Sequence, residues 1–319
     1  MPDVAIAIVS YNTRALLDEC LRSLRPDVDA GLAEVWVVDN ASTDGSADMV
    51  EAEHRWARLI RSQDNLGYGP AVNVVAERTD TPWIAPANSD LSFTPGAVRA
   101  LLQTGVAHPE AGAIAPRLIL PDGSTQQSVQ PFPSVTTSLL IASRAASFSG
   151  AARRRLYLPG AWDPDVAQDV PWATGAFLIV RREAWDQVGG FDAEQWMYAE
   201  DLDLGWRLAK AGWTTRYEPR AVVHHHESAA SKVAFGGQEG VVDKWVRANH
   251  AWMVRRQGLA RTWASSAITA AEAGLRVAAL GLLARRSPER FGEKLAWARR
   301  DLRGARSGLR PKSELLKAR

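Results

Sequence analysis

At 319 residues, with 46% hydrophobic and 23% charged content, the chain is long enough to bury a large core and too apolar for an intrinsically disordered protein. Its single cysteine, Cys20, excludes an internal disulfide framework and thiolate metal cages, and fits a reducing compartment. The net charge of +2 hides an asymmetry: residues 245–319 hold 17 Lys+Arg against 5 Asp+Glu, or +12, leaving −10 for residues 1–244.

The chain opens on Val4-Ala5-Ile6-Ala7-Ile8-Val9, an apolar run of buried-strand length. It has no cationic leader or cleavage pattern, so a cytoplasmic location is expected. Ser10-Tyr11-Asn12-Thr13 ends the strand, and Leu16, Leu17, Cys20, Leu21 and Leu24 follow at helical spacing. Further strands are predicted over 35–38, ending at Asp39-Asn40, over 58–61, and over 83–87, ending at Asn88-Ser89-Asp90. Ser42-Thr43-Asp44-Gly45-Ser46 is turn chemistry, and 70–77 reads as a helix. Such alternation predicts an open, mostly parallel α/β sheet, with ligands beyond the carboxyl ends of its strands. Asn12, Asp39 and Asp90 all stand there.

Over 121–171 the pattern loosens into a Pro-, Ser-, Asp- and Gly-bearing excursion of the kind that forms a lid or an acceptor wall. A strand is predicted over 173–180, a helix over 182–188 and another over about 201–211. Short strands over 214–217 and 221–223 lead into His224-His225-His226. From Val241 onward the sequence is helical and basic; the Ala- and Leu-rich stretch 262–283 is interrupted by Glu272 and Arg276 and is not read as a membrane span. The expected domains are 1–240, divided into halves 1–120 and 121–240, and a basic helical region 241–319.

Five groups carry chemistry. Asp39 either caps the next turn or accepts from a nucleobase or ribose. Asn88-Ser89-Asp90 is either an Asx turn or part of a site for a hard divalent cation, which needs only one or two protein oxygens when it bridges phosphates. Asn65-Leu66-Gly67-Tyr68-Gly69-Pro70-Ala71-Val72-Asn73 is either a plain turn or a glycine loop offering a helix N-terminus to an anion. Glu200-Asp201, preceded by Gly189-Gly190-Phe191-Asp192 and followed by Asp203, supplies either a general base or a helix cap. Of the three histidines, strand alternation lets at most one or two face one point.

In order and spacing these elements resemble the inverting glycosyltransferases of family 2, from about Val4 to Ser231. The matching pieces are Val9-Ser10-Tyr11-Asn12, Val38-Asp39-Asn40-Ala41-Ser42-Thr43-Asp44-Gly45, Asn65-Leu66-Gly67-Tyr68-Gly69, Asn88-Ser89-Asp90, Thr174-Gly175-Ala176 before Arg181-Arg182, and the block 189–213. Within the family, residues 65–73, Pro121-Asp122-Gly123-Ser124, Gly190-Phe191-Asp192 and Met197-Tyr198-Ala199-Glu200-Asp201-Leu202-Asp203-Leu204 look most like bacterial rhamnosyltransferases that use dTDP-L-rhamnose.

The resemblance implies a GT-A (Rossmann-like) fold and transfer of a sugar, with inversion, to a glycan or polyprenyl-diphosphate-linked acceptor. Asp39, Ser10 and Asn12 would line the nucleotide pocket, with Asn65, Gly67, Asn88 and Ser89. Asp90 and His225 would hold Mg²⁺ or Mn²⁺. Asp201 would be the base, Glu200 its acidic neighbour, and Trp172 and Gly175 would face the acceptor. Relatives often carry Pro where Ser89 stands, which bears on the rigidity of that loop. Alternative donors are UDP-galactose, UDP-glucose and GDP-mannose, and a non-catalytic sugar-nucleotide-binding protein is the rival class. The basic tail suits an anionic membrane surface, at the inner face of the plasma membrane, or a homodimer interface. No nucleic-acid partner is expected, since the acidic front would repel a phosphate backbone.

Overall fold

The computed structural model describes residues 2–143, 150–157, 162–195, 198–226 and 238–317. Met197 of the acidic run, and residues 227–231 at the end of the resemblance, lie outside them. The chain divides into two compact units, one of residues 1–130 and 163–238, the other of residues 131–162 and 239–319.

In the first unit, β1 (Val4–Ser10), α1 (Arg14–Asp29), β2 (Ala33–Asp39), α2 (Ser46–Glu53), β3 (Arg58–Arg61), α3 (Tyr68–Ala76) and β4 (Trp83–Asn88) alternate as expected. β5 (Leu91–Phe93), α4 (Ala97–Ala107), β6 (Ala111–Ile119) and β7 (Val129–Gln130) follow. With β8 (Gln168–Val170), β10 (Ile179–Arg181) and β11 (Thr214–His225), nine strands among the described residues form one sheet, with the order β3-β2-β1-β4-β10-β6-β11-β5 and β8 beside β11. β3, β2, β1 and β4 are parallel; β10 (Ile179–Arg181) runs antiparallel between β4 and β6. β1 is buried along nearly its whole length because helices cover both faces of the parallel half, which explains its unbroken apolar run.

Two expectations change here. The strand predicted over 173–180 is broken: β9 (Trp172–Ala173) pairs with β7, β10 starts at Ile179, and residues 174–178 turn between them. The two short strands predicted over 214–223 are a single β11 (Thr214–His225), with a register shift between Glu218 and Val222. α7 (Arg182–Val188) and α8 (Glu200–Lys210) bracket the acidic run.

The second unit holds α5 (Val135–Ala142), α6 (Gly150–Arg155), α9 (Gln238–Gln257), α10 (Leu259–Arg286), α11 (Pro288–Ser307) and α12 (Lys312–Leu315). Residues 131–162, expected with the 121–240 half, pack here: Ser138 and Ser265 hydroxyls meet at 2.6 Å, and Gln257 donates to the Pro133 carbonyl at 2.6 Å. α10 also departs from expectation. Glu272 and Arg276 neutralise each other at 2.8 Å, Arg276 reaches Asp301 of α11, and by length and composition the helix is apolar enough to cross a membrane. Only 6% of its apolar stretch is buried.

Candidate active site

The carboxyl ends of β2, β1 and β4 lie side by side, with Ser10 paired to Asp39 and Val9 to Asn88 in register. Asp39 Oδ2 accepts from the Ser42 backbone N–H at 3.1 Å, the turn-capping role. Its Oδ1 is buried with no hydrogen-bond partner among the described residues, and so is Oδ1 of Asn40. Two such oxygens cost about 1–3 kcal/mol each unless a ligand donates to them. Asn12 sits at φ +52° and ties the Asp39 turn down, accepting from Thr43 N–H at 2.8 Å while its own N–H donates to Ser42 Oγ at 3.0 Å.

The glycine loop is built in the same way. Asn65 Oδ1 accepts from Gly67 N–H at 2.9 Å, and Gly67, at φ +84°, is the residue before α3. Its carbonyl accepts from the Asn40 amide at 3.2 Å, which joins the loop to the Asp39 turn.

Ser89 is held by Thr13, hydroxyl to hydroxyl, at 2.7 Å, and Thr13 meets Ser10 Oγ at 3.2 Å. Those bonds fix the loop without proline. Of the three histidines only His225 is buried, as alternation requires; His224 and His226 are exposed. Its Nε2 lies 3.3 Å from Asp90 Oδ1 and 3.4 Å from the Asn88 amide nitrogen. Its Nδ1 lies 2.8 Å from Gln126 Oε1. With Gln126 accepting from Nδ1–H, the ring turns its Nε2 edge to the Asp90 carboxylate oxygen and the Asn88 amide. An imidazole nitrogen, oriented by a second partner on its other nitrogen, beside a carboxylate oxygen is a donor set that fits Mg²⁺ or Mn²⁺. No three His, Cys, Asp or Glu gather among the described residues, so the protein would supply only part of a coordination shell.

Sequence reading missed Gln126. It lies in the loose 121–171 excursion, where no periodicity marks it, and only the fold brings it to a histidine 99 positions away.

The acidic run resolves into distinct roles. Gly189 ends α7 at φ +75°, and Gly190 sits at φ +66°, where a Cβ would come within 2.8 Å of Asn73 Oδ1 and 3.0 Å of the Trp185 ring. Asn73 of α3 bonds Phe191 twice, accepting its N–H at 3.0 Å and donating to its carbonyl at 2.8 Å. Asp192 Oδ1 accepts from Glu194 N–H. Asp203 is fully buried and binds Arg207 at 2.6 Å, whose other nitrogens hold the Val188 and Gly190 carbonyls. Asp192 and Asp203 are therefore structural.

Asp201 is not the cap of α8; that position is Ala199. Its Oδ1 accepts from Leu202 N–H at 2.7 Å and its Oδ2 from Gly175 N–H at 2.9 Å. The turn at 174–178 provides that second donor. Gly175 allows the approach, since a Cβ there would lie 3.0 Å from Asp201 Cβ. The Gly175 carbonyl accepts from Tyr68 OH at 2.6 Å. Tyr68 feels Glu200, Asp201 and Asp90 together; burial first, then these three charges, push its phenol well above its usual range. Asp90 and Asp201, 111 positions apart, thus both act on one tyrosine through their charge. Trp172 is 3% exposed and packs on Gly205 of α8, so it supports the helix bearing the acidic pair.

Burial and the adjacent Asp201 push the Glu200 carboxyl up to about 8. Burial also raises Asp201, against the pull of its backbone donors. The two carboxyls titrate as a pair: burial raises both, and the Gly175 and Leu202 N–H groups favour the ionised form of Asp201. This has a stability consequence. Between the ordinary Glu value of 4.5 and about 8, folded Glu200 holds a proton that the unfolded chain has released. Its contribution is complete below that window and is lost as pH rises through it. The melting temperature of Glu200→Gln should therefore gain on the parent from pH 5 to 8; parallel curves would show that Glu200 ionises normally.

Known proteins bear on this geometry. The model of glycosyl transferase family 2 matches residues 5–157, and that of glycosyl transferase family group 2 matches residues 165–302. N-acetylglucosaminyl-diphospho-decaprenol L-rhamnosyltransferase of Mycobacterium tuberculosis is 35% identical over 240 residues, 72% of this chain and 78% of that protein. The chain belongs to glycosyltransferase family 2. The pre-mycofactocin glycosyltransferase of the same organism is 28% identical over 74% of this chain and 46% of its own length. A mannosyltransferase from Pyrobaculum calidifontis, solved with GDP-Man and Mn²⁺, superposes with a TM-score of 0.58 at 18% identity, over 97% of this chain and 87% of that one. The fold of this glycosyltransferase is GT-A, a central sheet flanked by helices.

Proposed function

We propose that this glycosyltransferase moves L-rhamnose from dTDP-L-rhamnose, with inversion, onto a hydroxyl of a polyprenyl-diphosphate-linked N-acetylglucosamine. The rhamnosyl reading is supported by the 35% identity to the decaprenol-linked rhamnosyltransferase. The single observation that carries the chemistry is Asp201: a buried carboxyl aimed by two backbone N–H groups, beside Glu200, whose own carboxyl is raised to about 8.

The acceptor hydroxyl attacks the anomeric carbon, the bond from that carbon to the diphosphate oxygen breaks, and Asp201 takes the hydroxyl proton. The leaving group is already good, so no protein acid is needed. The unpartnered oxygens of Asp39 and Asn40 receive the donors of the nucleoside, and the loop 65–69 closes over it. Asn88, Asp90 and His225 would hold a divalent cation, Mg²⁺ or Mn²⁺, whose chemistry is to neutralise the departing diphosphate. Two solved neighbours carry Mn²⁺.

The second unit suits a lipid-linked acceptor. Leu275, Leu282 and Leu283 of α10 are exposed, as is Trp297 of α11, and Arg285, Arg286, Arg299, Arg300 and Arg303 stand among them. Apolar side chains interleaved with arginine fit the anionic cytoplasmic face of a membrane.

A thermal-shift comparison of dTDP-L-rhamnose, UDP-galactose, UDP-glucose and GDP-mannose with Mn²⁺ tests the donor. The rhamnose donor should give the largest rise at equal concentration, by mass action on the folded state. A larger rise with any of the other three would overturn the rhamnosyl assignment while leaving the family intact.

A further inference from the structure

The second unit contains a cavity of about 240 Å³ lined by Arg247 and His250 of α9, Ser307 at the end of α11, Arg310, and Glu314, Leu315 and Lys317 at the end of the described chain. Three cations and one carboxylate surround it. Glu314 is a weak counter-charge, 3.9 Å from Arg310, with both side chains more than half exposed.

The floor is rigid and electrically neutral. Burial pushes His250 down to about 4, so the ring is uncharged at neutral pH, and Ser307 Oγ lies 3.4 Å from its Nδ1. Gly308 is pressed so closely against His250 that a Cβ would lie 2.6 Å from Nε2. Arg310 is fixed at the rim, since its carbonyl accepts from the Trp263 indole N–H at 3.0 Å. Trp263, and Leu309 next to Arg310 in the chain, are each 41% exposed. A small pocket with a net positive lining, an uncharged histidine within it and a partly exposed tryptophan bonded to the backbone of one lining residue has the character of a headgroup site at a membrane interface. None of its residues takes part in the chemistry assigned to Asp201 or Asp90.

We propose that this cavity binds a phosphate group, held by Arg247, Arg310 and Lys317 over the uncharged His250. Phosphate chemistry has two sources, a lipid headgroup and a soluble diphosphate. The site is independent of the donor assignment.

The experiment uses the full chain, without divalent metal, and three variants. Arg247→Ala and Arg310→Ala each remove a lining cation. Lys312→Ala removes an exposed cation from the same segment, outside the lining. Inorganic pyrophosphate is followed by thermal shift, and sedimentation is followed with phosphatidylcholine vesicles containing or lacking phosphatidate. Losing one charge-assisted contact should weaken binding about tenfold in the two cavity variants, with Lys312→Ala staying close to the parent. A difference on vesicles identifies the headgroup as the source, and one on pyrophosphate identifies a soluble ligand. If all three variants respond alike to both probes, the cavity is no more than diffuse positive charge and the proposal fails. A pyrophosphate shift that survives intact in both cavity variants belongs to another site and also counts against it. Should an alanine variant fail to fold, Arg310→Gln and Arg247→Gln serve the same comparison.

Discussion

Asp201→Asn should lower turnover by about 10²–10⁴-fold, the usual contribution of a positioned general base, and leave the affinity for donor nucleotide close to that of the parent. The substitution is nearly isosteric. One amide oxygen can still accept from Gly175 or Leu202, and the other backbone donor is left facing an NH₂ group. The structural cost is therefore about one hydrogen bond, roughly 1 kcal/mol, too little to account for so large a loss. Single-turnover transfer with saturating donor separates the cases. If nucleotide affinity collapses along with transfer, Asp201 is a pillar of the fold and another group removes the proton. Glu200 gives an internal check: without the neighbouring charge that helps raise its carboxyl, it should ionise at lower pH in this variant.

The second large effect is expected at Asp90. Asp90→Ala should bring donor affinity in the presence of Mn²⁺ down to its metal-free level, a loss of at least about tenfold, since even outer-sphere substitutions around a metal cost that much. Nucleotide binding in the presence of chelator should be unaltered, because in the proposed site the base and ribose would be held by Asp39, Asn40 and the loop at Gly67. Titration calorimetry with and without Mn²⁺ reads both. An undiminished Mn²⁺ effect in the variant would remove Asp90 from the metal site.

Much of the site was legible because it lies where the pattern of the chain changes. Buried strands read as apolar runs, and each run ends on the polar residue that the sheet then places at its carboxyl edge: Ser10, Asp39, Asn88. Strand alternation limits the three histidines to one or two at one point, and the family resemblance points to His225, the one the strand buries. Asp39 shows why two readings of one residue need not compete, as one of its oxygens caps the turn and the other is unpartnered.

What stayed hidden depends on long-range geometry. Gln126 has no local signature. The turn at Gly175 reads as strand because Ala176, Phe177, Leu178, Ile179 and Val180 form an apolar run, and apolarity alone does not reveal that the backbone must bend to offer an N–H to Asp201. Residues 131–162 could not be assigned to the second unit from composition, because their partners lie more than a hundred positions downstream.

The bonds between α3 and the acidic run set a limit on engineering. Asn73 grips Phe191, Gly69 leaves no room between itself and the Phe191 side chain, and Tyr68 holds the carbonyl of the residue that aims Asp201. A chimera that imports a relative's donor loop at 65–73 while keeping the native 174–201 would join surfaces that were shaped for other partners. The smallest unit that can be exchanged without breaking these bonds comprises both segments, although they are far apart in the gene.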